Sequence, residues 1–379
     1  MFSESPRDSR WVEARVDLDA IRHNVEMLRR IVAPAAVWGV VKADGYGHGA
    51  VPVARAVVDG GSEGLCVALA QEGVELRDSG IDAPILLLSE QPVSQLDAVV
   101  AHRLIPTLYS IGAVRAMTEA AARAGCSGYP VQVKVDTGMN RVGVSTGAAL
   151  DLVRAVEAAA PTLRLAGVFT HLAVTDELDN PFTALQIERF EVVLRSLGSR
   201  PPVVHAANSG GALGHAATRY DLVRPGITLY GIEPGSSLHP HCADLRPAMS
   251  LVSRVSFVKR VRAGESISYG LRYTFERDTT VATVPIGYAD GVPRRLGNSQ
   301  GLVLLGGRRR NIVGMVTMDQ LMLDCGDDAV QVGDEVVLFG GQGRERVQVE
   351  EWADALGTIP YEIVCGISKR VRRVYLDNT

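Results

Sequence analysis

The run Val37-Trp38-Gly39-Val40-Val41-Lys42, continuing into Ala43-Asp44-Gly45-Tyr46-Gly47-His48-Gly49, governs how the whole chain is read. Its first five residues carry no charge, as in a strand buried on both faces, and the sixth is a lysine. Similar β-branched runs recur at residues 65–69, 85–88, 104–108, 131–136, 165–170, 203–207 and 227–230. Amphipathic stretches separate them. Leu18, Ile21, Val25 and Leu28 recur at three- and four-residue steps before the first run. Leu185, Phe190, Val193, Leu194 and Leu197 make an apolar face ahead of the seventh. A doubly wound open sheet gives similar alternation, but eight units without a long break favour a (β/α)8 barrel. Beyond Gly235 the runs shorten, at residues 249–261, 279–285, 302–305, 312–316 and 335–338, with one helix at 349–356 and Arg308–Arg310 in a solvated loop. The expected architecture is therefore α/β, with an N-terminal barrel over residues 12–240. A C-terminal β-rich domain over 241–379, joined by residues 1–11, completes it.

Composition narrows the function classes. The 379 residues are 46% hydrophobic and 22% charged, enough to build a sizeable core. Thirty-nine basic against 43 acidic residues leave a net charge of −4, so no basic field points to nucleic acid or an anionic membrane. The first ten residues carry mixed charges and no apolar core, which argues against a secretory signal. The longest near-apolar run, residues 31–41, reaches about half of the roughly 20 residues that a spanning helix needs. A cytoplasmic protein without a membrane partner is expected. The five cysteines are odd in number and widely spaced, so neither a C-x-x-C metal or redox motif nor a disulfide framework is expected, and no metal site. Cys325 and Cys365 read as small core residues.

In parallel α/β folds the reactive groups sit at the C-terminal ends of the strands. Those ends read Lys42-Ala43-Asp44, Asp136-Thr137-Gly138, His171, Asn208-Ser209 and Arg224-Pro225-Gly226. A partly desolvated lysine has a lowered pKa and becomes a Schiff-base nucleophile, which is the reading of Lys42. The segment from Gly45 to Ala50 fits G-x-G-x-x-A, a dinucleotide fingerprint, but that motif does not want a lysine at the strand end. Nor does an acidic residue close a second strand roughly twenty positions on, where Glu72 is the nearest. Anion binding is better supported. Ser209 with Gly210 and Gly211, and Gly226 with Ile227, are small-residue turns that can aim N–H groups at a phosphate, and Tyr46 and Tyr361 can add hydroxyls. An imine-forming lysine with a phosphate cup suggests pyridoxal 5′-phosphate.

The segment Val40-Val41-Lys42-Ala43-Asp44-Gly45-Tyr46-Gly47-His48-Gly49 closely resembles the lysine motif of the alanine racemases, which are pyridoxal-phosphate enzymes. In order follow Lys134-Val135-Asp136-Thr137-Gly138-Met139-Asn140-Arg141, Thr170-His171-Leu172-Ala173, His205-Ala206-Ala207-Asn208-Ser209, Arg224-Pro225-Gly226-Ile227, Ser268-Tyr269-Gly270, Gly287-Tyr288-Ala289-Asp290-Gly291, Met318-Asp319-Gln320 and Tyr361-Glu362. The resemblance runs from about residue 11 to 376.

It implies a homodimer with shared active sites, supplying D-alanine as a peptidoglycan precursor. Lys42 then holds the cofactor and serves the D-alanine proton, and Tyr269 serves the L-alanine proton. His171 and Arg224 stand behind the phenol, and Arg224 faces the pyridine nitrogen, where an arginine can only donate. Tyr46, Asn208, Ser209, Gly226, Ile227 and Tyr361 hold the cofactor. Arg141 and the backbone of Met318 hold the substrate carboxylate, and Lys134 matches a lysine often carbamylated in relatives. Two positions depart from the family pattern: Gly45 replaces an alanine, and Thr317 stands where relatives often have cysteine. A racemase of broader range, a decarboxylase on the same scaffold and a non-catalytic pyridoxal-phosphate-binding barrel are the competing readings. Tyr269 disfavours the second, and the β domain disfavours the third.

Overall fold

The computed structural model describes residues 10–377, which form two compact units. One comprises residues 19–45 and 49–246; the other comprises the described residues up to Leu18, residues 46–48 and those from Pro247 onward.

In the first unit the β-branched runs become a ring of eight parallel strands: Ala36–Val40, Gly64–Val67, Ile85–Leu87, Thr107–Leu108, Tyr129–Asp136, Leu163–Phe169, Val204–His205 and Leu222–Val223. Leu222 and Val223 pair with Ala36 and Val37, and a bridge between Leu86 and Ile105 closes the ring. Seven strands lie where the runs predict them. The eighth does not: Ile227–Tyr230 is a 3-10 turn, and the strand is Leu222–Val223. Pro225 and Gly226 redirect the chain between them, and the Pro225 carbonyl accepts the Val40 N–H at 2.9 Å. All four residues of the turn are fully buried, and an apolar run that short does not reveal its conformation. The shift puts Arg224 at a strand's C-terminal end.

The helices pack outside the ring largely through the faces that their periodicity predicts, although Leu185, expected on such a face, is exposed and Gln186 is buried in its place. Leu18–Val32 buries Ile21, Val25 and Leu28, and Phe182–Ser196 buries Phe190 and Val193. Along Tyr129–Asp136, Val131, Val133 and Val135 face this outer core. The alternate residues, Gln132 and Lys134, turn inward because strand side chains alternate.

The second unit holds a sheet in which Val12–Asp17 lies between Met249–Arg254, antiparallel, and Arg372–Leu376, parallel. The strand at 12–17 thus pairs within this sheet, although the expected barrel limits of 12–240 include it. The run at 249–261 breaks into Met249–Arg254 and Phe257–Val261, which join different sheets. The run at 312–316 forms only a bridge from Ile312 to Leu323, because Gly314 turns left-handed at φ 69°. Arg308–Asn311 is an edge strand rather than a loop; its arginines pair with Asp328, Glu345 and Glu351. Val349–Leu356 is the expected helix, and Pro360–Gly366 is a second one. Cys325 is buried as expected, whereas Cys365 is exposed.

Asp290 is fully buried here. Both its oxygens accept from Arg10 at 2.7 Å, one lies 3.3 Å from Arg370, and one takes the Gly287 N–H at 3.0 Å. Removing the charge leaves two part-exposed guanidinium groups and the buried Gly287 N–H facing a neutral amide. Asp290→Asn should lower stability by about 1–2 kcal/mol in urea unfolding, whereas an unchanged midpoint would show that the network carries no weight.

Candidate active site

The strand ends of the first unit converge on one mouth, and its centre is Arg224. The guanidinium is buried, and its hydrogen bonds run to the carbonyls of Thr170 at 2.9 Å and Ala206 at 3.2 Å and to Nδ1 of His205 and, at 3.5 Å, of His171. None of these partners is a carboxylate. Burial brings the Arg224 pKa down to about 10, which still leaves it charged at neutral pH. Since arginine only donates, each Nδ1 accepts, and the proton of each imidazole lies on Nε2. His205 Nε2 reaches Gln132 Oε1 at 2.7 Å. The His205 ring stacks on Phe169 with centroids 4.6 Å apart, and Arg224 and Lys134 lie over the same Phe169 ring at 4.9 and 5.6 Å.

Positive charge is concentrated in this mouth. Desolvation first, then Arg224, Arg141 and Lys42, lowers Lys134 to about 7. His171 falls well below the ordinary imidazole range through burial and the charges of Arg224, Lys134, Arg141 and Lys42. Burial and Arg224 do the same to His205, so both imidazoles are neutral near pH 7. Burial pushes the Cys66 thiol up to about 12 despite Arg224 and Lys42, which makes it a spectator.

Lys42 lies two residues beyond the strand Ala36–Val40 rather than in it, half-buried, and opens a left-handed turn. Ala43, Asp44, Gly45 and Tyr46 have φ of 54, 54, 58 and 52°. Each non-glycine residue there costs about 1–2 kcal/mol, and Gly45 avoids that cost at its position. Asp136 Oδ1 accepts the N–H groups of Gly138 at 2.9 Å and Asn140 at 3.1 Å, shaping the loop that carries Arg141. Gln186, fully buried, ties that loop to the next: its Nε2 donates to Thr137 Oγ1 at 3.2 Å and to the His171 carbonyl at 3.1 Å.

The small-residue turns meet each other. Ser209 Oγ accepts the Gly226 N–H at 2.9 Å and the Thr228 hydroxyl at 3.1 Å, while Asn208 Oδ1 caps the Gly211 N–H at 3.0 Å. Ile227 begins the buried 3-10 turn.

The remaining predicted residues lie in the second unit. Tyr46 is buried 6.0 Å, centroid to centroid, from the Tyr361 ring. Tyr269 is 69% exposed on a tight turn between Ser268 at φ 65° and Gly270 at φ 76°. Met318 is 52% exposed in a loop that Thr317 closes, its hydroxyl donating to the Gln320 carbonyl at 2.9 Å. His205, Gln132, Phe169 and Gln186 were not among the sequence candidates. The alternation Val131-Gln132-Val133-Lys134-Val135 is the signal that marks Gln132.

Against this geometry, the sequence models for the alanine racemase N-terminal and C-terminal domains match residues 16–234 and 248–375. The chain belongs to the alanine racemase family. An alanine racemase of Symbiobacterium thermophilum is 47% identical over 97% of both chains. The structure of the alanine racemase of Streptomyces coelicolor A3(2) is 40% identical and superposes with a TM-score of 0.92, covering 97% of this chain and 98% of that one. That of Bartonella henselae, 31% identical with a TM-score of 0.87 over 96% and 99%, carries covalently bound pyridoxal phosphate. Among the described residues, no helix of this family member is long and apolar enough to cross a membrane.

A lysine lowered to about 7 is half neutral at that pH and should react as an amine there. Competitive acylation with mass mapping should give Lys134 a half-maximal reactivity near pH 7 in the protein without added carbon dioxide; a midpoint near that of surface lysines would contradict the charge cluster.

Proposed function

We propose that the chain is an alanine racemase, interconverting L- and D-alanine with pyridoxal 5′-phosphate as a homodimer in the cytoplasm, for peptidoglycan precursors. The observation that carries this reading is the donor set of the mouth. A strand-end lysine stands among further cations, with a buried guanidinium bonded only to carbonyls and neutral imidazoles. Such a set fits an anionic cofactor that needs an amine, a donor for its ring and small residues around its phosphate.

Lys42 would hold the cofactor, with Tyr46, Asn208, Ser209, Gly226, Ile227 and Tyr361 around it and Arg224 donating to its ring nitrogen. When bound, pyridoxal phosphate supplies a carbonyl for the substrate amine and a conjugated ring that takes up the electron pair left by Cα–H cleavage. Arg224, which cannot give up its proton at neutral pH, could only donate to that ring nitrogen and would so disfavour its protonation and side reactions of an aminotransferase kind.

Inversion at Cα removes a proton from one face and returns one to the other, so two bases on opposite sides serve it most directly. Lys42 Nζ acts on the D-alanine side, and Tyr269 Oη acts on the L-alanine side. The exposure of Tyr269 supports its donation to the site of the partner subunit, where another surface encloses it. His171, neutral with its proton on Nε2, donates toward that phenolic oxygen and stabilises it when it has lost its proton. Arg141 and the Met318 backbone hold the substrate carboxylate. Neutral Lys134 Nζ attacks carbon dioxide and loses a proton, and the resulting carbamate steadies Arg141.

Incubating the full-length protein with each enantiomer of alanine, serine and lysine tests this. Chiral chromatography should show alanine converging on equal amounts from both sides, with serine slow. No turnover of any amino acid would contradict the reading. Tyr269→Phe should slow proton exchange from L-alanine in deuterated buffer by about 10²-fold or more, and exchange from D-alanine far less; equal losses would remove Tyr269 from its face-specific role.

A further inference from the structure

We propose that Glu72 is a positioning residue for Lys42. Its carboxylate fixes the peptide plane that follows the lysine and thereby sets the direction of the amine. The inference rests on the reading that Lys42 carries the cofactor.

Glu72 opens the helix Ala70–Asp78, and its Oε2 accepts the N–H groups of Ala68 at 2.8 Å and Leu69 at 3.0 Å. Those bonds cap the helix, as a glutamate in its first turn commonly does. They leave the other oxygen unaccounted for by capping. Oε1 accepts the Ala43 N–H at 2.6 Å, from a residue 29 positions earlier. Ala36–Val40 and Gly64–Val67 are neighbouring strands, with Val40 opposite Cys66, so one carboxylate spans the two loops that leave them.

The Ala43 N–H belongs to the Lys42–Ala43 peptide. Because that unit is planar, holding its N–H sets ψ of Lys42 and the direction in which the side chain leaves the strand. The plane also opens the left-handed turn, which non-glycine residues keep only where the surroundings over-determine it. Three further bonds brace other peptide planes of the turn: Gly45 N–H to the Val41 carbonyl at 3.0 Å, Gly49 N–H to the Asp44 carbonyl at 2.8 Å, and Ala50 N–H to Asp44 Oδ1 at 2.8 Å. A carboxylate suits the task because it accepts at both oxygens and donates at neither, whereas an amide would turn an NH2 group toward one of the three N–H donors.

The test follows covalent attachment rather than turnover. Full-length chain stripped of cofactor is returned to pyridoxal phosphate, samples are reduced with borohydride over time, and peptide mapping quantifies label at Lys42. Glu72→Ala should slow attachment about tenfold or more in the folded chain, and Glu72→Gln, which keeps one accepting oxygen, should slow it less. A purely helix-capping role would lower the unfolding midpoint and leave the attachment rate of the folded chain unchanged, which would overturn the proposal. If Glu72→Ala does not fold, Glu72→Gln carries the test, and labelling at the unsubstituted rate overturns the proposal. Absence of label from Lys42 in the unsubstituted chain overturns the functional reading itself, and the role of Glu72 with it.

Discussion

A guanidinium buried without a carboxylate beside it is the constraint around which the barrel mouth is built. Taking Arg224 out of water is costly unless its N–H groups are all answered and its charge is met. The protein answers its two terminal NH2 groups with the Thr170 and Ala206 carbonyls and with two imidazoles, on strand ends that the closed ring brings together. It adds further positive charge from Lys42 and Arg141 instead of cancelling it. Burial first, and then the neighbouring charge, takes basicity from Lys134 and both histidines, with Arg224 the charge that acts on His205. The mouth is thereby prepared for anions.

Around that charge, rigidity comes from two sources. Stacking of His205 on Phe169, with Gln132 behind it, fixes one side of Arg224 through packed rings and one 2.7 Å hydrogen bond. On the other side, side chains from elsewhere in the chain hold the loops: Gln186 ties the Thr137 and His171 loops, and Glu72 ties the turn after Lys42. A strained left-handed turn and buried polar side chains run against local preference. Such departures concentrate where a chain serves chemistry.

Much of this was legible in the residues. Seven of the barrel strands announced themselves because parallel strands buried on both faces read as continuous apolar runs. Lys42, His171 and Arg224 stood out as polar groups at the strand ends. Ile227–Tyr230 misled because a buried 3-10 turn and a buried strand have the same composition. His205 opens one of the family motifs, but its role is not legible there: it lies within a strand of two residues, and its partners, Gln132 and Arg224, are 73 and 19 positions away. Glu72 drew attention only as a failed ribose ligand, since the N–H it receives belongs to a turn whose left-handedness no residue but Gly45 suggests. Arg308–Arg310 is solvated as it reads, but its place in an edge strand, paired with Asp328, Glu345 and Glu351, is set by tertiary neighbours.

Neutron diffraction from crystals of the full-length protein grown near pH 7 addresses the central claim most directly, because it shows the protons themselves. His171 and His205 should each carry a deuteron on Nε2 and none on Nδ1, with Arg224 fully deuterated between them. A deuteron on Nδ1 of either ring would mean that Arg224 does not set its protonation, and would contradict this account of the site.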